Sequence, residues 1–429
     1  MDICSIILSA GKGNRMLSDI PKPLHTISGK SMLKWVIDAN KAAEIKRSIV
    51  VMPENNESIK NITSDLETVI QPIALGTGDA VKKAIHLLKD FSGIILVCFA
   101  DTPFISTKSL QKIIKAFKIN TKLVISGFKK KEPNNYGKII FSKGNSPLEI
   151  IEQKDAELNG VQSNFCNGGI MAIHSSILDE LNKIQKNSIT HEFYLTDIVK
   201  IVSEQNKEIG FVEINEDEIL GINNQIDLSN AEKISQTLLR KKAMLNGVKL
   251  IDPDSVFFNF DTNINKNVTI HPNVVFGRNV NISSAVEIKS FTHLEDCKIK
   301  ENCVIGPFAR IRGNSILGKE SKIGNFVELK NSNLDDNVKI NHLSYVGDTE
   351  IGTSTNIGAG TITCNYDGQN KNQTKIGKNS FIGSNSTIIA PIKIGDNVTL
   401  GAGSVFNQDV PDNSLSLGRA RQINKDKKN

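Results

Sequence analysis

From residue 268 onward an apolar residue returns every six positions. Val268, Val274, Val280 and Val286 open the series, and Ile299, Ile305, Ile311, Leu317, Ile323 and Leu329 continue it. Leu334, Ile340 and Val346 follow after a five-residue step, then Ile351 and Ile357, and the last run is Ile376, Ile382, Ile388, Ile394, Leu400 and Phe406. Glycine often stands next in line, as at Gly306, Gly318, Gly324, Gly352, Gly358, Gly377, Gly383, Gly395 and Gly401. Six is an even step, so on a β-strand all these side chains face one side. On an α-helix the same step advances about 240° and scatters them in three directions, leaving no apolar stripe. The period therefore excludes a helical array and predicts a parallel β-helix of six-residue repeats, whose stacked turns bury a column of aliphatic side chains.

The first half has another rhythm. Apolar runs at residues 3–8, 47–51, 93–99, 123–127 and 170–173 read as buried strands, and amphipathic segments at 33–43, 79–89 and 109–117 read as helices. Alternation of that kind predicts βαβ units, an α/β domain with a mainly parallel sheet covered by helices. Residues 225–246 read as one helix, stopped by Gly247, that links the halves. The expected division is thus a domain over 1–224, a linker helix over 225–246 and a β-helix over 247–429. The polar stretch at 364–373 breaks the six-residue register and is expected to loop out of the coil, either as a functional excursion or as a plain solvent loop.

Composition removes several function classes. The 429 residues carry 52 basic and 46 acidic side chains, a net charge of +6. Part of that excess is the tail at 425–428, which reads as a solvated end rather than a nucleic-acid arm. The absence of a long apolar run and of a signal-peptide pattern predicts a cytoplasmic protein with neither membrane nor nucleic acid as partner. The six cysteines, at 4, 98, 166, 297, 303 and 364, form no C-x-x-C pair and read as reduced, unbridged thiols.

The stretch L-S-A-G-K-G-N-R-M, residues 8–16, follows the first apolar run. It is not a Walker loop, because Asn14 and Arg15 follow Gly13, and it lacks the third glycine of a dinucleotide fingerprint, because Met16 stands there. Small residues after a strand nevertheless expose backbone N–H groups suited to a phosphate. Arg15 adds a permanently charged fork, and Lys22, held between Pro21 and Pro23, a second cation. By themselves these residues also fit a structural turn with surface charges. Asp101, in F-A-D-T-P, follows the strand expected at 93–99, which sets its carboxylate at the ligand-binding edge of a parallel sheet; a plain turn is the alternative. The pair His191-Glu192 is not a zinc-protease motif, since Leu195 stands where the second histidine is needed, and it reads as helix-entry chemistry.

Together, L-S-A-G-K-G-N-R-M, P-K-P-L, L-G-T-G-D-A and F-A-D-T-P resemble the sugar nucleotidyltransferases, which join a nucleoside triphosphate to a sugar phosphate and release pyrophosphate. Joined to a six-residue-repeat β-helix, the chain from Ile6 to about Arg421 resembles the bacterial family of bifunctional N-acetylglucosamine-1-phosphate uridylyltransferase/glucosamine-1-phosphate acetyltransferases. The resemblance implies a Rossmann-like nucleotidyltransferase domain and a left-handed coil; periodicity shows neither. For the first half it implies nucleotide contacts from Leu8, Ser9, Ala10, Gly11, Gln71, Gly76, Thr77, Phe99 and Ala100, with Arg15 and Lys22 on phosphates as catalytic groups. It implies sugar contacts from Gly137, Glu152 and Asn167, and Mg²⁺ on Asp101 and Asn223. Ser9 stands where the family often has alanine, and Lys138 where it often has arginine.

For the second half the stretches G-P-F-A-R-I-R, G-N-F-V-E-L-K, N-H-L-S-Y-V-G-D and N-I-G-A-G-T-I-T-C-N-Y-D-G carry the resemblance. They imply sugar-phosphate contacts from Arg312, Lys330, Tyr345 and Asn356, with His342 as general base. Acetyl-CoA contacts are implied for Ala359, Asn365, Tyr366, Ser384, Ala402 and Arg419. A lone histidine is more often a surface or packing residue, but one that titrates near neutral pH suits the deprotonation of an amine attacking a thioester. The implied sequence is acetyl transfer to glucosamine 1-phosphate, then reaction of N-acetylglucosamine 1-phosphate with UTP. The product is a precursor of peptidoglycan and lipopolysaccharide, and the enzyme a homotrimer with a shared acetyl site. Two other readings stand beside it: a single-activity pyrophosphorylase with a structural β-helix, and a non-catalytic binding protein.

Overall fold

The run Asp2–Leu8 has apolar residues on both its faces and is stable only with cover on both. In the computed structural model, which describes residues 1–131, 134 and 136–424, it is an interior strand of a mixed sheet. The strand order is Glu208–Glu213, Thr121–Lys129, Phe165–His174, Gly93–Phe99, Asp2–Leu8, Arg47–Met52, Glu67–Ile70. All neighbours are parallel except Phe165–His174, which runs antiparallel to both of its partners. A hairpin of Lys138–Phe141 and Pro147–Ile151 branches from that strand.

Alternate residues feed two cores. Ile6, Ile49 and Val51 pack with Ala80, Val81 and Ala84 of the helix Thr77–Ile85 and with Ile198 and Val199 of the helix Asp197–Glu204. Ile7 and Val50 pack on the opposite face with Leu33, Val36 and Ile37 of Met32–Ala42 and with Leu110 and Ile113 of Thr107–Lys115. Each fully buried aliphatic side chain contributes about 1.5–3 kcal/mol, so the two helical layers are held by burial rather than by propensity. Ser31 and Ser106 cap the latter two helices through their hydroxyl oxygens.

Contacts divide the chain into Met1–Glu232 and Lys233–Asn429, and the division falls inside the helix Gln225–Leu245. That helix stops where Gly247 takes φ 88°, a backbone state that costs glycine little. In the second unit three parallel stacks, of ten, eight and eight very short strands, form the three walls of a left-handed β-helix. Every residue of the six-residue series is buried. The series does change column, however. Each wall of a turn buries side chains two residues apart, and the leading column runs Ile270, Phe276, Ile282, Ile288, Leu294, Ile299. Val268, Val274, Val280 and Val286 belong to the second inward column, two residues earlier, which continues as Cys297, Cys303, Ala309, Ser315 and Ser321. Asparagine recurs at the corners, and Asn267, Asn273, Asn279, Asn302, Asn314 and Asn337 all have φ between 54° and 65°. Asparagine tolerates this left-handed state better than most residues, so the corners are written into the repeat as well.

The excursion is shorter than expected. Cys364 ends the strand Ile362–Cys364 and pairs with Ile389, so the loop begins at Asn365 and closes on a Tyr366–Lys371 bridge. All six cysteines are free, and burial pushes the thiols of Cys4 and Cys303 up to about 11 and those of Cys98 and Cys297 up to about 12. Such thiols stay protonated and unreactive at neutral pH. Among the described residues no helix is long and apolar enough to cross a membrane, and no group of three or more His, Cys, Asp or Glu is placed to hold a metal. The tail at 425–428 lies outside the described residues.

Candidate functional site

The first pocket forms where neighbouring parallel strands end. Beyond their carboxyl edge Ser9 N–H donates to Val51 O (2.8 Å), Gln71 N–H to Met52 O (2.9 Å) and Ala100 N–H to Leu8 O (3.0 Å). Three loops far apart in sequence are thereby laced together. They open on a cavity of about 570 Å³, an ordinary volume for a small-molecule site. Leu8, Ser9, Ala10, Gly11, Arg15, Lys22, Gln71, Gly76, Thr77, Phe99, Ala100, Asp101 and Asn223 all line it.

Its charged groups meet at one point. The Lys22 ammonium bonds to the Asp101 carboxylate and donates to Asn223 Oδ1 at 3.0 Å, and Arg15 Nη2 donates to that same oxygen at 2.9 Å. Gly13 just before Arg15 has φ 64°, and a Cβ there would lie 2.7 Å from Lys22 Cβ, so the glycine lets the two cationic segments close up. Opposite them, Gly76 has φ 105°, and a Cβ there would meet Phe193 O at 2.5 Å. The Gln71 amide nitrogen is committed to Gly76 O (3.2 Å) and Asp79 Oδ2 (2.7 Å), which fixes the direction of its amide oxygen.

Gly137, Glu152 and Asn167 do not line this cavity but gather together beside it. A Cβ on Gly137 would lie 3.6 Å from Glu152 Oε2, and Asn167 N–H donates to Gly137 O at 2.8 Å. Asn167 Oδ1 accepts from Gly169 N–H (2.9 Å), and a Cβ on Gly169 would lie 3.6 Å from the ring of the cavity residue Phe99. Burial holds the Glu152 carboxyl above the usual carboxylate range, partly offset by a 2.7 Å hydrogen bond from Thr196 Oγ1.

Sequence reasoning missed Lys12, Asn14, Pro23, Ala74, Ala80 and Glu192, which also line the cavity. The first five lie within or next to quoted motifs and were legible as neighbours. Glu192 was not: its segment precedes the helix Asp197–Glu204 and lies along the Leu75–Gly78 turn, with Phe193 N–H on Leu75 O and Gly78 N–H on Phe193 O, both 2.8 Å. Glu192 therefore lines the pocket, and the helix entry comes later, at Thr196.

The second cluster lies on the β-helix, where register does the positioning. Asn325 pairs with His342 in neighbouring strands, and His342 Nδ1 lies 2.7 Å from Asn325 Oδ1. A carboxamide oxygen only accepts, so it keeps the proton on Nδ1 and leaves Nε2 as the basic nitrogen of an exposed ring. Gly360 N–H on His342 O, Asn385 N–H on Ala359 O and Gly403 N–H on Ser384 O continue this column through Ala359, Ser384 and Ala402. The Ala359 N–H has no partner among the described residues. On the adjoining wall Arg312 pairs with Lys330, and Glu328, bonded to Arg312 at 2.7 Å, pairs with Tyr345. Lys371, from the excursion, stands beside Lys330 and holds its ammonium below the usual range. Asn356 lies on the same wall as His342. Asn365 bonds to Asp348 at the root of the excursion, Tyr366 lies exposed on it, and Arg419 sits in exposed chain after the last strand. Asn325 was not singled out from the sequence; its signal is only its place one rung before His342.

Known proteins resemble parts of both units and the chain as a whole. The MobA-like NTP transferase domain family matches residues 5–188, and the bacterial transferase hexapeptide family, a unit of six repeats, matches 296–331 and 373–408. A Wolbachia pipientis protein named Bifunctional protein GlmU is 44% identical over 423 residues, covering 98% of this chain and 97% of its own length. Proteins of the same name from Zymomonas mobilis and Anaplasma marginale are 39% and 40% identical, covering 98% and 99% of this chain and 95% and 98% of theirs.

Proposed function

The chain belongs to the family of bifunctional GlmU proteins and is a transferase of two activities, uridylyl and acetyl transfer; from that premise we propose where each reaction takes place. Residues 1–224 make the uridylyltransferase domain, 225–246 the linker helix and 247–429 the acetyltransferase domain. The observation that carries the reading is the meeting of Arg15, Lys22, Asp101 and Asn223 at one point of a nucleotide-sized cavity.

In the first domain an N-acetylglucosamine 1-phosphate oxygen attacks the α-phosphorus of UTP. The new P–O bond forms as the bond to the β-phosphate breaks, and pyrophosphate leaves. Arg15 and Lys22 offset the negative charge that gathers on the phosphates without any change in their own protonation. Gly137, Glu152 and Asn167 orient the sugar. Asp101 and Asn223 fit a Mg²⁺: two oxygen donors already converge on one positive charge, and a hard cation that keeps several waters needs few protein ligands. Bound there, Mg²⁺ supplies charge neutralisation at the phosphates.

In the second domain His342 Nε2 takes a proton from the glucosamine amine as its nitrogen attacks the acetyl-CoA thioester. The C–N bond forms, the C–S bond breaks, and coenzyme A leaves as the thiol. The unpartnered Ala359 N–H suits the oxyanion of the tetrahedral intermediate. Arg312 and Lys330 suit the sugar phosphate, with Tyr345 on their own wall and Asn356 on that of His342. Asn365, Tyr366, Ser384, Ala402 and Arg419 take acetyl-CoA. The hexapeptide repeats and the exposure of His342 favour a homotrimer in which a neighbouring coil completes the acetyl site. A purely structural β-helix needs neither His342 nor its Asn325 partner. Incubation with glucosamine 1-phosphate, acetyl-CoA, UTP and Mg²⁺, omitting one at a time, tests the whole scheme. UDP-N-acetylglucosamine is expected only from the complete mixture, and failure of glucosamine 1-phosphate and acetyl-CoA to yield N-acetylglucosamine 1-phosphate and free coenzyme A would refute the acetyl-transfer assignment.

A further inference from the structure

Asn223 reaches the first pocket from the far end of its unit's sequence, and three hydrogen bonds hold the short segment that carries it. Asn223 Nδ2 donates to Gly221 O at 3.2 Å, which sets the flip of the amide. Ile222 N–H donates to Asp101 O at 3.0 Å, which docks the segment against the strand end. Asn223 N–H donates to Asp227 Oδ2 at 2.9 Å, and this bond sets the backbone direction at Asn223 itself. The amide oxygen so aimed accepts from Arg15 and Lys22. Asp227 lines no part of the cavity. Its own N–H donates to Asn224 Oδ1 at 2.9 Å in the first turn of the helix, so the carboxylate is anchored on a regular element rather than on a loop.

We propose that Asp227 is a positioning residue of the nucleotidyl-transfer site. By accepting the Asn223 N–H, it keeps the Asn223 amide oxygen aimed at the point it shares with Asp101. The proposal rests on the reading of Asp101 and Asn223 as the cation-holding pair. A carboxylate is a stronger acceptor for a backbone N–H than a neutral group. Without it the peptide before Asn223 is free to turn, and the site keeps only Asp101 as an aimed oxygen. Simple helix capping is the competing role, because an acidic side chain in a first turn also satisfies helix N–H groups and the dipole.

The test titrates the full chain with Mn²⁺ in the absence of nucleotide, follows free Mn²⁺ by electron paramagnetic resonance, and measures the metal requirement of pyrophosphate release alongside. Asp227→Ala is expected to weaken Mn²⁺ binding by about tenfold or more and to raise the half-saturating metal concentration in step, the usual scale for losing a group that orients a metal ligand. Asp227→Asn keeps an oxygen acceptor in place and is expected to stay within about threefold of wild type. Asn224→Ala removes the helix cap but leaves Asp227, and is expected to do the same. Binding unchanged in Asp227→Ala overturns the proposal alone. So does an Asn224→Ala loss equal to that of Asp227→Ala, which assigns the effect to fraying of the helix, or an Asp227→Asn loss equal to it, which assigns the effect to charge. Wild-type protein that binds no Mn²⁺ overturns the pairing of Asp101 with Asn223, and the proposal with it.

Discussion

The cavity of the first unit draws its side chains from residue 8 to residue 223, whereas the corner column of the β-helix moves from Asn325 to His342 to Ala359 by single rungs. In the first case chain crossings and hydrogen bonds between loops create the geometry, and each loop end has its own fastening. In the second, one strand-pairing register sets every position, so residues far from the chemistry share responsibility for it. A site of the first kind should fail locally when a contributing group is lost. One of the second kind should also fail when the stack beneath it is disturbed.

The largest expected effect tests their independence. Asp101→Ala should lower magnesium-dependent pyrophosphate release by roughly 10³-fold or more, the scale on which charge-stabilising groups act in phosphoryl transfer, while acetyl transfer by the same protein stays within about twofold. Equal loss of both activities in a folded protein would break the contrast. His342→Ala should lower acetyl transfer by roughly 10²–10⁴-fold and spare nucleotidyl transfer; a fall within about threefold would remove His342 as the base. Asn325→Ala deletes one hydrogen bond to that ring, worth about 1 kcal/mol, and should slow acetyl transfer by roughly fivefold.

Stability measurements sharpen the same contrast. Ile323 is 1% exposed and shares a strand with Asn325, so Ile323→Ala should cost about 2–5 kcal/mol in the β-helix and reduce acetyl transfer without touching the other activity. Gly76→Ala strains one turn of the other unit by about 1–3 kcal/mol and should raise the KM for nucleotide, leaving acetyl transfer intact. The smallest effect concerns Glu152, whose carboxyl burial raises above its ordinary 4.5. The folded state then holds the proton more tightly than the unfolded chain. Its contribution to stability is complete below about 4.5 and lost as pH climbs through the raised value. Glu152→Gln, which carries no such penalty, should therefore gain in melting temperature over wild type as the buffer is taken from acid to neutral. A gap independent of pH would contradict the burial of that carboxyl.

Legibility in the sequence followed the same divide. A six-residue period is a long-range statement made locally, and every residue it named is inside the coil. The step between columns at Val286 escaped notice because both inward columns are apolar there, and only the later Ser and Thr residues tell them apart. In the first unit the buried strands were legible, but strand direction was not, since periodicity is the same in both senses; Phe165–His174 runs antiparallel unannounced. The strand Glu67–Ile70 was passed over because only Val69 of its four residues is buried, and the hairpin at 138–151 because its short strands fully bury only four of nine residues. Glu192 and Asn325 share one reason for being missed. Each acts through a neighbour distant in sequence, and no local pattern records which neighbour that is.

The coil counts rungs, not residues. Ile305 pairs with Ile323 after eighteen positions, yet Ile351 pairs with Ile376 after twenty-five, because the surplus is spilled at one corner and the next strand rejoins the ladder in step. A corner of this kind works as an open port in a fixed frame. Chain of almost any length can be inserted or trimmed between Asn365 and Gln373 while the rungs above and below stay matched, which lets such a scaffold change what it holds without relearning how to fold.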